Sequence, residues 1–437
     1  MPTNRLVSLS VSGLFGRQDT LELSFDESCT VLTGGNGTGK STILRMVWAV
    51  AAGEFETLRN APISKLTLTF SDSPALEFTK HGSSGRLAWG RHSTNVTHSA
   101  ALEALSPWAR DALAEAGYDG ERAAEQLFEW LPDTASPAEM SEMRRALREL
   151  TPADARMDPP RWYPELQGIF PVAFITDQRL LIEEPRPNPR DRHSPWRMRR
   201  GRVGRAVEAV SIDIAERINR ADMQYARASQ RIDREFPSAV IAELKKAPPE
   251  RETVAQLADA VNAQRERMRN VGLLDRDATV GMALPLHEEN QHLLTVVSSF
   301  LKSTQAKLEG LDDLADRLTA FKEFLDAMFV GKAVSLMRED GLGFHVGDSR
   351  IRANQLSSGE QQMVVLAHKI LFETEPGTLV IIDEPEISLH IRWQDQLLGH
   401  LIDMGARSSL QFLMATHSPM ILASHPEMER SLDDLRQ

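Results

Sequence analysis

Polar and apolar positions alternate over Leu6–Val11, Thr20–Phe25, Lys65–Phe70 and Leu76–Lys80, and a period of two predicts short strands with one wet face. Two runs break that alternation. Cys29–Thr33 reads as a short buried strand, and Leu379-Val380-Ile381-Ile382 is continuously apolar and β-branched, as a strand buried on both faces of a parallel sheet requires. Between these ends the periodicity turns helical. Residues 100–150 are rich in Ala, Glu and Leu with breaks at Pro132-Asp133 and Ser136-Pro137, and residues 203–330 predict helices near 204–233, 251–272 and 288–328. Strands return at Ala333–Met337 and Phe344–Val346. Leu293, Leu294, Val297, Phe300, Leu301 and Leu308 follow near-heptad spacing, but Leu-rich stripes are more often packed core than extended arms. The pattern is α/β with an α-helical insertion.

Chemistry enters where the first buried strand ends. Gly34, Gly39, Lys40 and Ser41 occupy the fixed positions of G-x-x-x-x-G-K-[ST], after a strand and before the apolar run Thr42–Trp48. The small residues Gly34, Gly35, Asn36, Gly37, Thr38 and Gly39 let backbone N–H groups converge on a phosphate, with the partial positive charge of a helix N-terminus behind Lys40, Ser41 and Thr42. Lys40 is expected to reach the β and γ oxygens of ATP, and the Ser41 hydroxyl to ligate Mg²⁺.

The second buried strand ends in Asp383-Glu384, on the edge where open α/β sheets place their ligands. Asp383 is therefore a candidate for Mg²⁺ and Glu384 for orienting or deprotonating a water. A solvated acidic turn is the plainer alternative. Leu356-Ser357-Ser358-Gly359-Glu360-Gln361 opens a helix whose apolar face includes Met363, Val364, Leu366, Ala367, Ile370 and Leu371. Taken alone this is a helix cap, and also a ready anion site.

In this order the motifs resemble the ABC-type ATPases of the SMC/RecF/OLD class. The resemblance covers roughly residues 3–70, 170–180 and 340–420. It implies a P-loop NTPase ABC-type head, with a mixed central sheet, an antiparallel β-subdomain and a helical insertion. It makes LSSGE the signature motif, Ser388-Leu389-His390 the D-loop, Gln178 the metal- and water-sensing glutamine, and His417 in ATHSP the γ-phosphate-sensing histidine. Ser358 departs from the glycine usual in transporters. The implied domains are 1–95 (phosphate loop and β-subdomain), 96–180 (helical segment and Q-loop), 181–205 (arginine-rich loop), 206–330 (helical lid or oligomerisation hairpin) and 331–437 (signature to switch histidine). In such ATPases the signature of one copy closes over the nucleotide of another, so the resemblance implies a homo-oligomer in which Ser357, Ser358 and Gly359 act in trans.

Composition narrows the setting more than the chemistry. Hydrophobic residues at 41% and charged residues at 26% are ordinary for a soluble protein, and no apolar run reaches membrane-spanning length. A cytoplasmic protein with no membrane partner is expected. The lone Cys29 excludes an internal disulfide. A formal charge of −12 argues against wholesale coating of nucleic acid, yet Arg186, Arg190, Arg192, Arg197, Arg199, Arg200, Arg202 and Arg205 crowd one proline-rich segment. That run fits a solvated loop, a binder of nucleic acid or acidic protein, or an arginine donor to a neighbouring ATP site. Phe15 and Arg17 are candidates for adenine stacking. No Glu plus Asp-x-Asp cluster with a supporting domain follows His417, so a nuclease within the chain is not expected. The whole plan resembles stand-alone ATPases of bacterial anti-phage defence operons, of the PARIS type, which implies a separate effector, a nuclease or toxin. A RecF-like repair ATPase on duplex DNA is the alternative.

Overall fold

The computed structural model describes residues 4–82, 84–96, 159–175, 204–275, 291–387 and 389–434. The expectations for residues 100–150, Gln178, the arginines from 186 to 202 and Ser388 lie outside them. The chain forms two compact units, one of residues 1–177 with 374–437 and one of residues 178–373. The strands near 333–351 and the helix that follows Ser357 thus fall in the unit of the helical insertion, and the Asp-Glu strand in the other.

The first unit holds two sheets of opposite character. One is six-stranded, in the order β2-β1-β4-β5-β6-β7. It comprises β1 (Leu6–Ser12), β2 (Thr20–Ser24), β4 (Lys65–Phe70), β5 (Leu76–His81), β6 (Ser84–Trp89) and β7 (His92–Val96), and every pairing is antiparallel. Its strands alternate as read, with Leu66, Leu68 and Phe70 of β4 buried between half-buried neighbours.

The other sheet has the order β14-β3-β13-β12-β8. It is built from β3 (Cys29–Thr33), β8 (Val172–Ile175), β12 (Leu379–Asp383), β13 (Gln411–Ala415) and β14 (Glu429–Ser431). Where a mixed central sheet was expected, all four pairings among the described residues are parallel. The reason is division of labour: the antiparallel strands are gathered in their own sheet. The parallel strands β3, β12 and β13 are buried along nearly their whole length, which demands the continuous apolar runs of the sequence. Helix α1 (Lys40–Ala52) lays Ile43, Leu44, Met46, Val47 and Val50 into this core. It stops at Gly53, whose φ of 76° an L side chain resists and whose missing Cβ leaves room for Tyr163 at 3.1 Å. Phe55–Asn60 (α2) and Tyr163–Ile169 (α3) belong to the same unit.

One buried amide joins the two sheets. Gln411, 4% exposed at the start of β13, accepts from the Leu6 N–H at 3.0 Å and donates to Leu6 O at 2.8 Å and Asp26 O at 2.9 Å.

In the second unit, α4 (Gly204–Glu243), α5 (Arg251–Asn270), α6 (Gln291–Glu309) and α7 (Asp312–Met328) accompany a three-stranded sheet of order β11-β10-β9. Its strands are Ala333–Met337, Gly341–Val346 and Ser349–Ile351 in chain order. The single helix expected over 288–328 is two. The break falls at Gly310-Leu311, after which Asp312 and Asp313 suit the positive start of a new helix. Leu294, Val297, Leu301 and Leu308 are buried, so the leucine stripe is packed core.

The helix that follows Ser357, α8 (Ser358–His368), is held at both ends within this unit. At its start the Ser357 and Glu360 side chains form a reciprocal capping box, and Lys332 binds both Glu360 carboxylate oxygens at 2.6 Å. At its end the helix widens into a π-helical turn, Lys369–Glu373. There Arg317 of α7 donates to Leu371 O at 2.7 Å and Arg217 of α4 to Phe372 O at 3.3 Å. Buried His368 lies between Asp213 of α4, at 2.7 Å, and Glu373, at 3.2 Å. Carbonyls that a helix end leaves without partners are thus met by cations from the insertion.

Replacing Gln411 with leucine keeps the volume but strands two Leu6 backbone groups and the Asp26 carbonyl. Chemical denaturation should show a loss of about 3 kcal/mol, given a cost of 1–3 kcal/mol for each buried group left unmet.

Candidate functional site

The parallel register brings three loops to one edge. Leu32 pairs with Ala415 and Ala415 with Asp383, so the chain leaves β3, β13 and β12 at one level. Beyond them follow the phosphate loop, Thr416-His417 and Glu384.

The loop after β3 turns on glycine, with φ of 138° at Gly34, 76° at Gly37 and 103° at Gly39, the residue that starts α1. At Gly39 a Cβ would sit 3.0 Å from Leu14 and 3.1 Å from the Phe15 ring. Phe15, itself left-handed at φ 55° and 46% exposed, therefore lies against the loop. Thr38 closes the turn by donating its hydroxyl to Gly35 O at 2.9 Å. Lys40 is 5% exposed and folds back onto the loop, donating to Gly34 O at 2.8 Å and Gly35 O at 3.1 Å. Burial pushes its pKa below the ordinary lysine value, against the pull of Glu384, Asp433, Asp383 and Glu386.

Residues 342 positions apart then meet: the Ser41 hydroxyl donates to Asp383 Oδ1 at 3.1 Å. A hydroxyl and a carboxylate side by side are the hard oxygen donors that Mg²⁺ takes when substrate phosphates and water fill the rest of its shell, so these residues fit the ion. Glu384 stands next, in the left-handed region at φ 49°, with its N–H bonded to Ala415 O at 2.9 Å. Holding a non-glycine residue there costs of order 1 kcal/mol, and such strain concentrates at working positions. Its Oε1 is 3.8 Å from His417 Nε2, and both side chains are a little over a third exposed.

Two residues absent from the sequence reading take part. Glu386 Oε1 accepts the His417 N–H at 2.7 Å and so sets the turn that carries the imidazole. Asp433 Oδ2 accepts the Gly35 N–H at 2.9 Å. Glu386 was open to detection as a carboxylate two places after Glu384. Asp433 follows a strand of only Glu-Arg-Ser, too short and polar to announce itself.

The structure therefore brings together Gly34–Thr42, Asp383, Glu384 and His417. Ser357, Ser358 and Gly359 belong to the other unit, where Ser357 caps α8. Arg17 is exposed beside Phe15 in the sequence. Leu389 is buried, and His390 caps α9 (Ile391–Arg407) by accepting the Arg392 N–H at 3.3 Å.

A parallel sheet with a glycine loop, its lysine and a facing Asp-Glu pair, followed by a histidine turn, is the arrangement of a P-loop nucleotide-binding domain of the ABC type. A family model described as "AAA domain, putative AbiEii toxin, Type IV TA system" matches residues 217–423. The lipoprotein-releasing system ATP-binding protein LolD of Anaeromyxobacter dehalogenans (strain 2CP-C) is 34% identical over 86 residues, 20% of this chain and 34% of that protein. The chain thus matches about a third of the length of this curated relative. Among solved structures, the Pyrococcus furiosus Smc head domain with an extended coiled coil, bound to the C-terminal domain of ScpA, is similar with a TM-score of 0.37 and 13% identity, over 96% of this chain and 91% of that one. The SMC head domain of Thermotoga maritima gives 0.36 and 12%, over 98% and 94%. No helix among the described residues is long and apolar enough to cross a membrane.

Because burial depresses the Lys40 pKa, the empty site loses this proton at lower pH than an ordinary lysine, whose value is 10.5. A bound triphosphate favours the charged form, so nucleotide binding should take up a proton on the alkaline side. Affinity for ATP, followed by titration calorimetry in buffers of different ionisation enthalpy, should fall as pH rises through a point below 10.5, with proton uptake appearing over the same range.

Proposed function

We propose that this chain binds ATP with Mg²⁺ and hydrolyses it, and that it works in the cytoplasm as a nucleotide-driven switch between copies of itself. The observation that carries this reading is the contact between Ser41 and Asp383, with Lys40, Glu384 and His417 around it. Lys40 exchanges its loop carbonyls for β and γ oxygens of ATP. Ser41 and Asp383 would hold Mg²⁺, which would supply positive charge to the phosphate oxygens. Glu384 accepts a proton from a water as that oxygen bonds to the γ-phosphorus and the bond to the ADP oxygen breaks. His417, steadied by Glu386, donates to the γ-phosphate through an imidazole nitrogen. Gln178 is proposed beside the metal from the motif order alone. Phe15 offers an exposed aromatic face for adenine.

Ser357, Ser358 and Gly359 present the N-terminus of α8 and are proposed to close on the nucleotide of a second copy. ATP then favours the associated state only through its higher affinity for that state. The description of the matching family, a putative AbiEii toxin of a type IV toxin–antitoxin system, supports a place in defence, with this ATPase controlling a separate effector. A RecF-like repair ATPase is the competing outcome.

Glu384→Gln should retain ATP and accumulate the associated form in size-exclusion light scattering, with turnover lowered at least a hundredfold. Lys40→Ala should lose nucleotide binding. Mass spectrometry of partners retained by ATP-loaded Glu384→Gln, with nucleic acid assayed in the same eluate, separates the two settings. A stoichiometric nuclease or toxin supports the switch; bound DNA without one supports repair.

Mixing Lys40→Ala with Ser357→Arg, each inactive by itself, should regain a fraction of wild-type ATPase. A mixed pair has one site with an intact lysine from one copy and an intact serine from the other. Absence of any regain would count against sites shared between copies.

A further inference from the structure

The peptide between Gly34 and Gly35 has its two ends held by different residues. Its carbonyl, Gly34 O, accepts from Lys40 Nζ at 2.8 Å. Its N–H, that of Gly35, donates to Asp433 Oδ2 at 2.9 Å. Both flanking residues are glycines, so nothing in their side chains resists rotation of this peptide plane. Turning it over would swing the Gly34 carbonyl away from the lysine.

Asp433 itself is well anchored. Strand β14 runs parallel to β3, with Arg430 level with Leu32 and Ser431 with Thr33. Leu432, fully buried, continues the ladder through its N–H to Thr33 O at 3.0 Å, and Thr33 donates its hydroxyl to Glu429 Oε1 at 2.6 Å. Arg430 ties the strand down by donating to Asp26 Oδ2 at 2.9 Å and Oδ1 at 3.1 Å. The fit is close: a Cβ on Gly34 would lie 3.3 Å from Asp433 Oδ2 and 3.5 Å from Leu432 Cβ. The carboxylate is therefore delivered to the loop by a strand registered against the phosphate-loop strand.

We propose that Asp433 is a positioning residue for ATP binding, which locks the Gly34–Gly35 peptide so that Lys40 is held ready for the triphosphate. This rests on the nucleotide-site reading above. Asp433 touches no reacting atom in it, so its effect belongs in the affinity for nucleotide and not in the chemical step. The bond needs an acceptor oxygen at this place and no negative charge as such. A carboxylate acting instead by charge would repel ATP, and its removal would tighten binding.

The test is steady-state ATPase kinetics on the full chain for wild type, Asp433→Ala, Asp433→Asn and Asp433→Glu, with thermal melting of each. Asp433→Ala should raise KM about tenfold with kcat within about twofold, and Asp433→Asn, whose amide oxygen still accepts, should recover most of that loss. Asp433→Glu, with the carboxylate displaced by one methylene, should raise KM despite its charge; if Asp433→Ala does not fold, the Glu and Asn pair decides. An unchanged KM in Ala, an Asn variant no better than Ala, or tighter binding in both would overturn the proposal. Wild type and Lys40→Ala are run alongside. If wild type does not turn over ATP, or Lys40→Ala matches it, the nucleotide-site reading itself has failed; if both behave as expected, the Asp433 variants judge only this inference.

Discussion

Everything at the site depends on the level at which three parallel strands end. Backbone pairing sets Leu32 beside Ala415 and Ala415 beside Asp383, and side chains separated by most of the chain become neighbours as a result. A slip of one residue in either ladder would turn each side chain to the opposite face of the sheet. The Ser41 hydroxyl would then face no carboxylate. Burial of β3, β12 and β13 on both faces keeps these strands in the core, and the position of Asp383 at the end of its apolar run marks where the ladder meets the edge.

The loops add what the ladders cannot. Each departs from the sheet edge with too few residues to pack on its own, and each is held by a group borrowed from elsewhere. Glu386 holds the histidine turn, Ala415 O holds the strained Glu384, and Asp433 holds the first turn of the glycine loop. Hydrogen bonds to charged acceptors are the stronger kind, and two of these three are of that kind.

Much of this was legible beforehand, for definable reasons. Leu379–Ile382 announces a strand buried on two faces, and the spacing Gly34, Gly39, Lys40 admits little besides a phosphate cradle. Strands such as Lys65–Phe70 and Ala333–Met337 stand where the alternation puts them. What escaped depends on pairing. Residues 84–89 and 92–96 lack a clean alternation and are strands because β5 offers an edge to the first and the first offers one to the second. Glu-Arg-Ser at 429–431 is a strand only because β3 lies beside it. The positive φ of Glu384 belongs to its surroundings, not to its residue type, and the break at Gly310 was hidden by the helical pattern on either side.

The fixing of α8 at both ends bears on what the insertion is for. Asp213, Arg217 and Arg317 come from helices that, in the sequence, look like an accessory set between two halves of an ATPase. They meet the terminal carbonyls and the buried histidine of the helix that carries Ser357-Ser358-Gly359. Trimming residues 204–328 to leave a minimal catalytic core would take away the mounting of that helix together with the supposed appendage. The insertion is masonry under this helix, and the smallest piece that presents Ser357-Ser358-Gly359 correctly includes it.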